Sequence, residues 1–191
     1  VGVYQLAEDN DVYYADTVGA TQFGYRHPLI TNTRTYAVYG QADLHLAEGL
    51  TLQLGGRYTH EKKTIDLTAT FFGAPFSSAD LVAAGVPLSQ TVKKFTPRVA
   101  LQYKVNPDVL VFASYTEGFK SGGWNARAFS AALLQAFAPE FVKSYEVGVK
   151  SELLDRHLRA NVTLFRADYS ELQVPSIIPG ATDFVTLNAA N

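Results

Sequence analysis

Alternation of apolar and polar residues with a period of two constrains the fold of this chain more than any other feature. Between Thr35 and Leu46, and again between Leu50 and Lys63, nearly every second residue is apolar and most of the others are polar. Successive side chains of a β-strand point to opposite faces, so this period predicts strands with one apolar and one polar face. Similar alternation occurs in Val1–Tyr14, Phe95–Val105, Val109–Thr116, Tyr145–Leu153 and Leu158–Leu164. The pattern predicts an all-β fold of about seven antiparallel strands, although both sets of residues in Val109–Thr116 are largely apolar and leave its facing open.

Strand length separates the possible all-β architectures. Several of these runs span about 12 to 14 residues, whereas a typical globular strand has roughly 5 to 6. At about 3.3 Å per residue such a strand is roughly 40–46 Å long. With a tilt of about 40° it rises roughly 30–35 Å, enough to cross an apolar band about 25 Å tall. The lengths therefore favour a transmembrane β-barrel over a soluble sandwich.

The connections between the predicted strands alternate between short and long. The short ones are Ala47–Gly49, Asn106–Asp108 and Asp155–His157. The long ones are Glu8–Asn32, Thr64–Thr91, Glu117–Phe141 and Pro175–Leu187. Short turns at one rim and long loops at the other are typical of an up-and-down outer-membrane barrel, with periplasmic turns and extracellular loops. The aromatic residues Tyr58 and Tyr103 are predicted to lie near opposite ends of the apolar band.

Composition excludes several other classes of protein. The formal net charge of −2 gives no reason to expect a nucleic-acid partner. The absence of cysteine excludes structural disulfides and thiolate metal sites. The least charged stretch, Leu67–Val92, contains two prolines and two glycines, so we expect a loop there and not a membrane-spanning helix. No segment at the start reads as a signal peptide.

Several motifs, in order, resemble the barrel domain of TonB-dependent outer-membrane receptors. The segment Thr35–Gln41 followed by Leu54–Thr59 is similar to the family's "S-x-A-x-F/Y-x-Q … G-x-R-Y" hairpin. Thr96-Pro97-Arg98 with Tyr115–Gly123 looks like its "T/S-P-R … Y-S-x-G-F-K-x-G" run, and Pro139–Lys150 is similar to its "P-E-x-x-x-x-Y-E-x-G-x-K" element. Together with Leu164-Phe165 and Asp168-Tyr169, these matches extend the resemblance from Thr33 to Asn191.

The resemblance implies a barrel of about 22 strands whose lumen is filled by an N-terminal plug domain. It also implies active uptake of a scarce nutrient, above all a ferric siderophore, driven by the inner-membrane TonB complex. The expected partners are outer-membrane lipid, the plug domain of the same protein, the TonB complex and the siderophore. We interpret residues 1–191 as an interior part of the barrel domain, with the plug and the remaining strands outside this sequence.

Charged residues in the polar sets form the first group of candidate functional residues. In a complete receptor they would face the lumen and could contact the plug; an equally simple reading is a solvated wall of mutual ion pairs. These residues are Arg57, Glu61, Arg98, Glu146, Lys150 and Arg159.

Aromatic residues beside cations in the predicted long loops form the second group. Stacking combined with positive charge would suit an anionic, aromatic siderophore. The candidate ligand-binding residues are Tyr25, Arg26, Phe71, Phe72, Phe119, Lys120, Trp124 and Arg127.

Catalytic chemistry finds no support in the sequence. The four histidines lack the spacing of metal ligands, and no Ser, His and acid grouping can be assembled, so we expect no enzyme activity, cofactor or metal site. Two alternatives remain open at this point. One is another outer-membrane barrel, either an autotransporter or a barrel enzyme, and the other is a soluble β-sandwich that acts as a binding module.

Overall fold

The chain is described by a computed structural model, which covers residues 1–14, 27–71, 74–125, 133–177 and 184–189. Most of these residues lie in strands, and none of the helices they form is long and apolar enough to cross a membrane. The elements are β1 (Gly2–Tyr14), β2 (His27–Ala47), β3 (Leu50–Phe71), β4 (Ala74–Ser77), α1 (Ser78–Ala83), β5 (Ser89–Asn106), β6 (Val109–Lys120), β7 (Gly123–Trp124), β8 (Ala136–Phe137), β9 (Glu140–Leu153), β10 (Leu158–Ser170), β11 (Leu172–Ser176) and β12 (Val185–Ala189).

Seven long strands form one antiparallel sheet in the order β1-β2-β3-β5-β6-β9-β10, and β4 pairs with the end of β3. Each long strand therefore pairs with the long strand that follows it in the chain, as the predicted up-and-down arrangement requires. The three short turns lie where the sequence predicts them. Gly49 turns β2 into β3 with φ of 74°, and Leu154, Asp155 and Arg156 all have positive φ between β9 and β10.

The two faces of the sheet differ as the alternation predicts. We call one the apolar face; typical members in one row across the sheet are Leu44, Leu52, Leu101, Ala113, Val147 and Leu164. We call the other the polar face; typical members are Thr35, Arg57, Arg98, Ser114, Glu146 and Arg159.

The facing of β6, which its sequence leaves open, follows from its partners. Tyr115 lies opposite Val99 and therefore on the apolar face, whereas Ser114 lies opposite Ala100 and on the polar face. Phe112 consequently belongs to the polar face, and its ring fills the space beside Gly148, where an added Cβ would come within 2.7 Å of it.

The predicted bounds of the long loops are wrong at several places, and three differ most. β1 continues through Glu8 to Tyr14, β2 already begins at His27, and β3 continues past Thr64 to Phe71. The stretch predicted as a loop from Thr64 to Thr91 also contains β4 and α1. The strands are thus longer than the alternation indicates, with 21 residues in β2 and 22 in β3.

The extra length was missed because apolar residues change faces near the end of β3. Up to Tyr58 they occupy the apolar face, but Ile65 and Leu67 lie on the polar face, in line with Glu61 and Lys63. We call this the face exchange. Ile65 and Leu67 are 3% and 1% exposed because other residues cover them; the buried cluster that they form also contains Leu29, Leu81, Val86 and Leu134.

The main buried cluster among the described residues therefore lies at the long-loop end, on the polar face. Helix α1 supplies Leu81, and the segment after β6 supplies Leu134. Ser78, the first residue of α1, fixes the helix to β3, because its hydroxyl accepts a hydrogen bond from the backbone N–H of Leu67 at 2.8 Å. The hydroxyl also donates to the carboxylate of Asp66 at 2.6 Å. We refer to this part of the molecule as the loop core.

Candidate functional site

The segment that follows β6 crosses the polar face near the long-loop end. The ammonium group of Lys63 donates a hydrogen bond to the carbonyl oxygen of Gly122 at 3.2 Å, and the side-chain amide of Gln90 donates to that of Gly123 at 2.7 Å. The absence of a side chain at Gly122 permits this approach, since a Cβ there would lie 2.4 Å from Gln90 Oε1. We call Ser121–Asn125 the strap.

Side-chain amides tie the strap, which includes β7, to the β11–β12 hairpin. Asn125 accepts a hydrogen bond from the backbone N–H of Thr186 at 2.6 Å and donates one to its carbonyl oxygen at 3.0 Å. Gln173 donates to the carbonyl oxygens of Ser121 and Ala138, both at 3.0 Å. These contacts add to the backbone pairing of the strap, in which β7 pairs with β8 and the Asn125 N–H donates to the Gln135 carbonyl oxygen at 3.1 Å.

A cavity of about 700 Å³ lies between the strap and the polar face. Its floor comes from β1, β2 and β3, and its roof from the strap and the β11–β12 hairpin. The lining combines polar, charged and aromatic groups, among them Glu8, Asn10, Lys63, Lys120, Trp124 and Phe137.

Arg57 lines a second, smaller cavity of about 380 Å³. The carbon of its guanidinium group lies 4.8 Å from the centre of the Tyr4 ring and 5.9 Å from that of Tyr39. Its Nε donates a hydrogen bond to the Thr59 hydroxyl at 3.1 Å. Arg57 is thereby held over two aromatic rings, an arrangement that favours a cation and leaves part of the guanidinium available for an anion.

Glu61 borders the same cavity one step closer to the long loops. One carboxylate oxygen accepts a hydrogen bond from the Thr35 hydroxyl at 2.9 Å. The other lies 3.5 Å from the Lys63 ammonium, which makes an ion pair too long for a good hydrogen bond. The three charges of Arg57, Glu61 and Lys63 thus follow one another along β3 and leave a net positive charge beneath the strap.

Three of the predicted ligand-binding residues come together here. Phe119 borders the cavity of Arg57, whereas Lys120 and Trp124 line the larger cavity next to it. The Trp124 indole N–H donates to the carbonyl oxygen of Pro87 at 2.7 Å, which fixes the ring against the loop core. Phe71 is the last residue of β3, and only its backbone is described. Tyr25, Arg26, Phe72 and Arg127 lie outside the described residues.

The six predicted lumen-facing residues all project from the polar face, where they lie as three pairs at different heights along the strands. Arg57 and Glu61 lie beneath the strap. Lys150 and Arg159 lie at the short-turn end, where Arg159 forms an ion pair with Glu152 at 2.6 Å, and Lys150 stands 5.6 Å from the Phe112 ring centre. The remaining two, Arg98 and Glu146, lie between these groups in neighbouring rows of the sheet.

The residues that hold the site together were missed from the sequence. Tyr4 and Tyr39 flank Arg57, and Gln90, Asn125 and Gln173 position the strap. Alternation could have placed both tyrosines, since Tyr39 belongs to the polar set that opposes Arg57. No sequence signal marks the three amides, because their partners are backbone carbonyl and amide groups of segments distant along the chain.

Similar proteins share one family. The family model "TonB dependent receptor-like, beta-barrel" matches residues 1–191. The ferric-pyoverdine M114 receptor PbuA of Pseudomonas sp. (strain M114) is 29% identical over 163 residues, which cover 85% of this chain and 18% of that protein. The metal-pseudopaline receptor CntO of Pseudomonas aeruginosa is 37% identical over 76 residues, which cover 40% of this chain and 10% of that protein. The chain thus matches less than a fifth of the length of either relative.

A solved structure has the same fold. The crystal structure of the ferric yersiniabactin uptake receptor FyuA from Yersinia pestis superposes with a TM-score of 0.76 at 18% sequence identity. The superposition covers 90% of this chain and 26% of that receptor. A single antiparallel sheet that matches part of such a receptor is incompatible with the β-sandwich alternative. With the family model matched over its whole length, the chain belongs to the TonB-dependent receptor-like, β-barrel family.

Proposed function

We propose that this chain is part of an outer-membrane receptor that takes up a ferric siderophore in a TonB-dependent manner. The match of the barrel family to residues 1–191 carries this proposal. The names of the relatives support the cargo, because PbuA is a ferric-pyoverdine receptor and CntO a metal-pseudopaline receptor. These relatives are receptors and not enzymes, and we propose no catalytic role.

The apolar face supports a place in the outer membrane. Its large side chains are exposed to a degree that water would disfavour, for example Val147 at 54% and Leu164 at 70%. From Leu50 to Tyr58 the face extends eight residues along β3, or roughly 26 Å along the strand at about 3.3 Å per residue. Tyr103 borders one end of this band, and Tyr58 and Phe95 border the other, as interfacial girdles do.

The sheet edges support a larger barrel in the complete protein. Among the described residues, β1 and β10 each pair with one strand only, so each leaves a row of backbone groups available to a further strand. Unpaired backbone groups cost several kcal/mol each in lipid. We therefore infer that residues 1–191 are an interior part of the barrel and that Arg98, Glu146, Lys150 and Arg159 face a plug domain, which the TonB complex acts upon.

The groups beneath the strap support binding of an anionic, aromatic cargo. Arg57 supplies a partly available guanidinium, Trp124 supplies a ring, and Lys63 and Lys120 supply further positive charge. Aromatic faces and cations together suit a chelate that carries both rings and negative charge. We propose that the predicted residues Tyr25, Arg26, Phe71, Phe72 and Arg127 contribute further contacts to the cargo.

Uptake assays of the full-length protein test the proposal. A strain without its own receptors, which expresses this protein, should accumulate radioactive iron from at least one ferric siderophore, with ferric pyoverdine tested first. The protein should fractionate with the outer membrane. Failure of every ferric siderophore to support uptake, with the protein correctly inserted, would contradict the cargo; absence from the outer membrane would contradict the receptor itself.

Two matched variants locate the cargo site. Arg57→Gln should weaken the affinity for the siderophore about fivefold, because it removes the cation between the two tyrosine rings. Arg159→Gln removes the same charge from the polar face at the short-turn end and should leave the affinity unchanged. Equal effects of the two variants would count against a site beneath the strap.

A further inference from the structure

Positive charge gathers on the apolar face just beyond its aromatic girdle at the long-loop end. Two neighbouring rows cross the sheet there. The first contains Ala7, Arg34, Lys62 and Thr91, and the second contains Gln5, Tyr36, His60 and Lys93. The next row toward the short turns is apolar and aromatic, with Val3, Val38, Tyr58 and Phe95.

The arrangement of these cations is unfavourable without a counter-charge. Arg34 lies directly opposite Lys62 in the ladder, and Lys62 lies diagonally to Lys93. Like charges directly opposite one another destabilise a sheet, and diagonal neighbours stand only about 7–8 Å apart. Arg34 has an internal partner, the Asp9 carboxylate at 2.8 Å, in the following row. The ammonium groups of Lys62 and Lys93 project from exposed residues toward the surroundings of the sheet.

An apolar groove adjoins these cations. It has a volume of about 360 Å³ and is lined by side chains of the apolar face, chiefly Val3, Tyr36, Val38, Tyr58 and His60. Val38 and Tyr36 are 50% and 54% exposed. The groove ends at His60, whose row contains Lys93 and adjoins the row of Lys62. The groove and the two lysines together have the polarity of a lipid molecule, with a chain at one end and an anionic headgroup at the other.

Among the described residues, the short-turn end has no counterpart of these cations on the apolar face. The corresponding row there is Leu50, Tyr103, Val111, Val149 and Val162. Lys104, Lys150 and Arg159 at that end belong to the polar face instead. The cations of the apolar face therefore lie near the long-loop end of the strands, which corresponds to one leaflet of the membrane.

We propose that Lys62 and Lys93, with Arg34 beside them, bind the phosphate headgroup of a membrane lipid whose acyl chain lies in the groove along Val38 and Tyr58. The ammonium groups of the two lysines attract the phosphate electrostatically. Tyr36 and Tyr58, which line the groove, contact the first segment of the acyl chain. This lipid site rests on the outer-membrane location proposed above. It lies on the opposite face of the sheet from the siderophore site.

Lipid selectivity of the full-length protein tests the site. The protein is reconstituted in phosphatidylcholine vesicles, and the motionally restricted fraction of spin-labelled phosphatidic acid is compared with that of spin-labelled phosphatidylcholine. The wild type should prefer phosphatidic acid. The double variant K62Q/K93Q should reduce that preference by up to about 25-fold, since each cation near an anionic surface contributes a factor of about five.

Two controls make the outcome decisive. K104Q/K150Q removes the same charge from the polar face and should keep the preference, and K62R/K93R should restore it. Equal loss in both glutamine variants, or no loss in K62Q/K93Q, would overturn the proposal. Abolition of the preference by excess inorganic phosphate would assign the lysines to free anions and also overturn it. Failure of the protein to float with vesicles would instead contradict the membrane location.

Discussion

The two ends of the sheet are stabilised in different ways. At the short-turn end the strands are joined by tight turns, and the apolar side chains remain exposed, with Leu46 at 55% and Leu158 at 47%. At the long-loop end the strands carry a buried cluster in which Leu67, Leu81 and Leu134 are at most 1% exposed. The short-turn end is held together by backbone hydrogen bonds between its strands, and its apolar side chains stay largely exposed. The long-loop end has a buried core.

The difference separates two functions of a single sheet. In the membrane location proposed above, the short-turn end leaves its apolar face exposed to lipid. The loop core buries apolar surface internally and so can hold the strap and the cavity beneath it in water. Each end therefore has its own sensitivity to substitution.

Truncation of the loop core should produce the largest effect. Leu81→Ala removes a side chain that is 0% exposed, and such changes cost about 2–5 kcal/mol. Hydrogen exchange of the full-length protein should then show lost protection in α1 and the strap, with the short-turn ladder unchanged. Leu54→Ala, at a residue 40% exposed on the apolar face, is the matched control and should be milder. A similar loss for both would remove the distinction between the two ends.

A pair of glycine variants compares the turns themselves. Gly49 at the short-turn end and Gly85 beyond α1 both have positive φ, 74° and 80°. A Cβ at Gly49 would lie 2.6 Å from the Lys104 carbonyl oxygen, whereas at Gly85 nothing lies within 4 Å. Gly85→Ala should cost about 1 kcal/mol from backbone strain alone, and Gly49→Ala about 2–3 kcal/mol. Denaturant titrations in detergent check this order; the reverse order would contradict it.

Loss of one amide should loosen the strap selectively. Gln90→Met removes the hydrogen bond to the Gly123 carbonyl oxygen and should cost about 1 kcal/mol. Gln102→Met removes a bond to Gln53 near the short turns, at 3.0 Å. Only the first variant should accelerate hydrogen exchange at Gly122–Asn125. Faster exchange there in the Gln102 variant would show that the strap is coupled to the whole sheet.

The smallest effect should be a local dependence on pH. The Asp80 carboxylate accepts hydrogen bonds from the backbone N–H and the hydroxyl of Ser77, at 2.7 and 2.9 Å, and the backbone bond is the main cause that lowers its pKa below the usual 3.8. This stabilisation is complete above the usual pKa and is lost as the pH falls through the lowered value. Exchange in α1, corrected for intrinsic rates, should accelerate there, whereas Asp80→Asn should show no such step.

The sheet could be predicted from the sequence because its information is local. Alternation from Leu50 to Lys63 defines two faces, and three short turns of Asn, Asp, Gly and Pro fix which strands are neighbours. The family match also agrees with the ordered motifs. The facing of β6 could not be obtained in this way, because Leu110 and Phe112 are apolar yet lie on the polar face.

The loop core could not be predicted because its partners are distant in sequence. Ile65 and Leu67 continue the alternation of β3, but they fall in the set that is polar below them, so the strand seemed to end at Lys63. Only the arrival of Leu81 and Leu134 over that face makes the pattern favourable. The candidate site shows the same limit. Arg57 can be recognised because it lies in a local motif, whereas the amides that position the strap contact distant segments and have no motif around them.

The face exchange of β3 also marks a fixed position along the length of the strand. In the proposed membrane location, β3 carries lipid-facing residues below Lys63 and inward-packed residues above it, so the face exchange would mark the edge of the bilayer. Lengthening the lower part by two residues would keep both faces and raise the loop core by about 7 Å along the strand. Lengthening it by a single residue would turn one of the two apolar sets to the wrong side. The height of the proposed cargo cavity above the proposed membrane can therefore change only by an even number of residues.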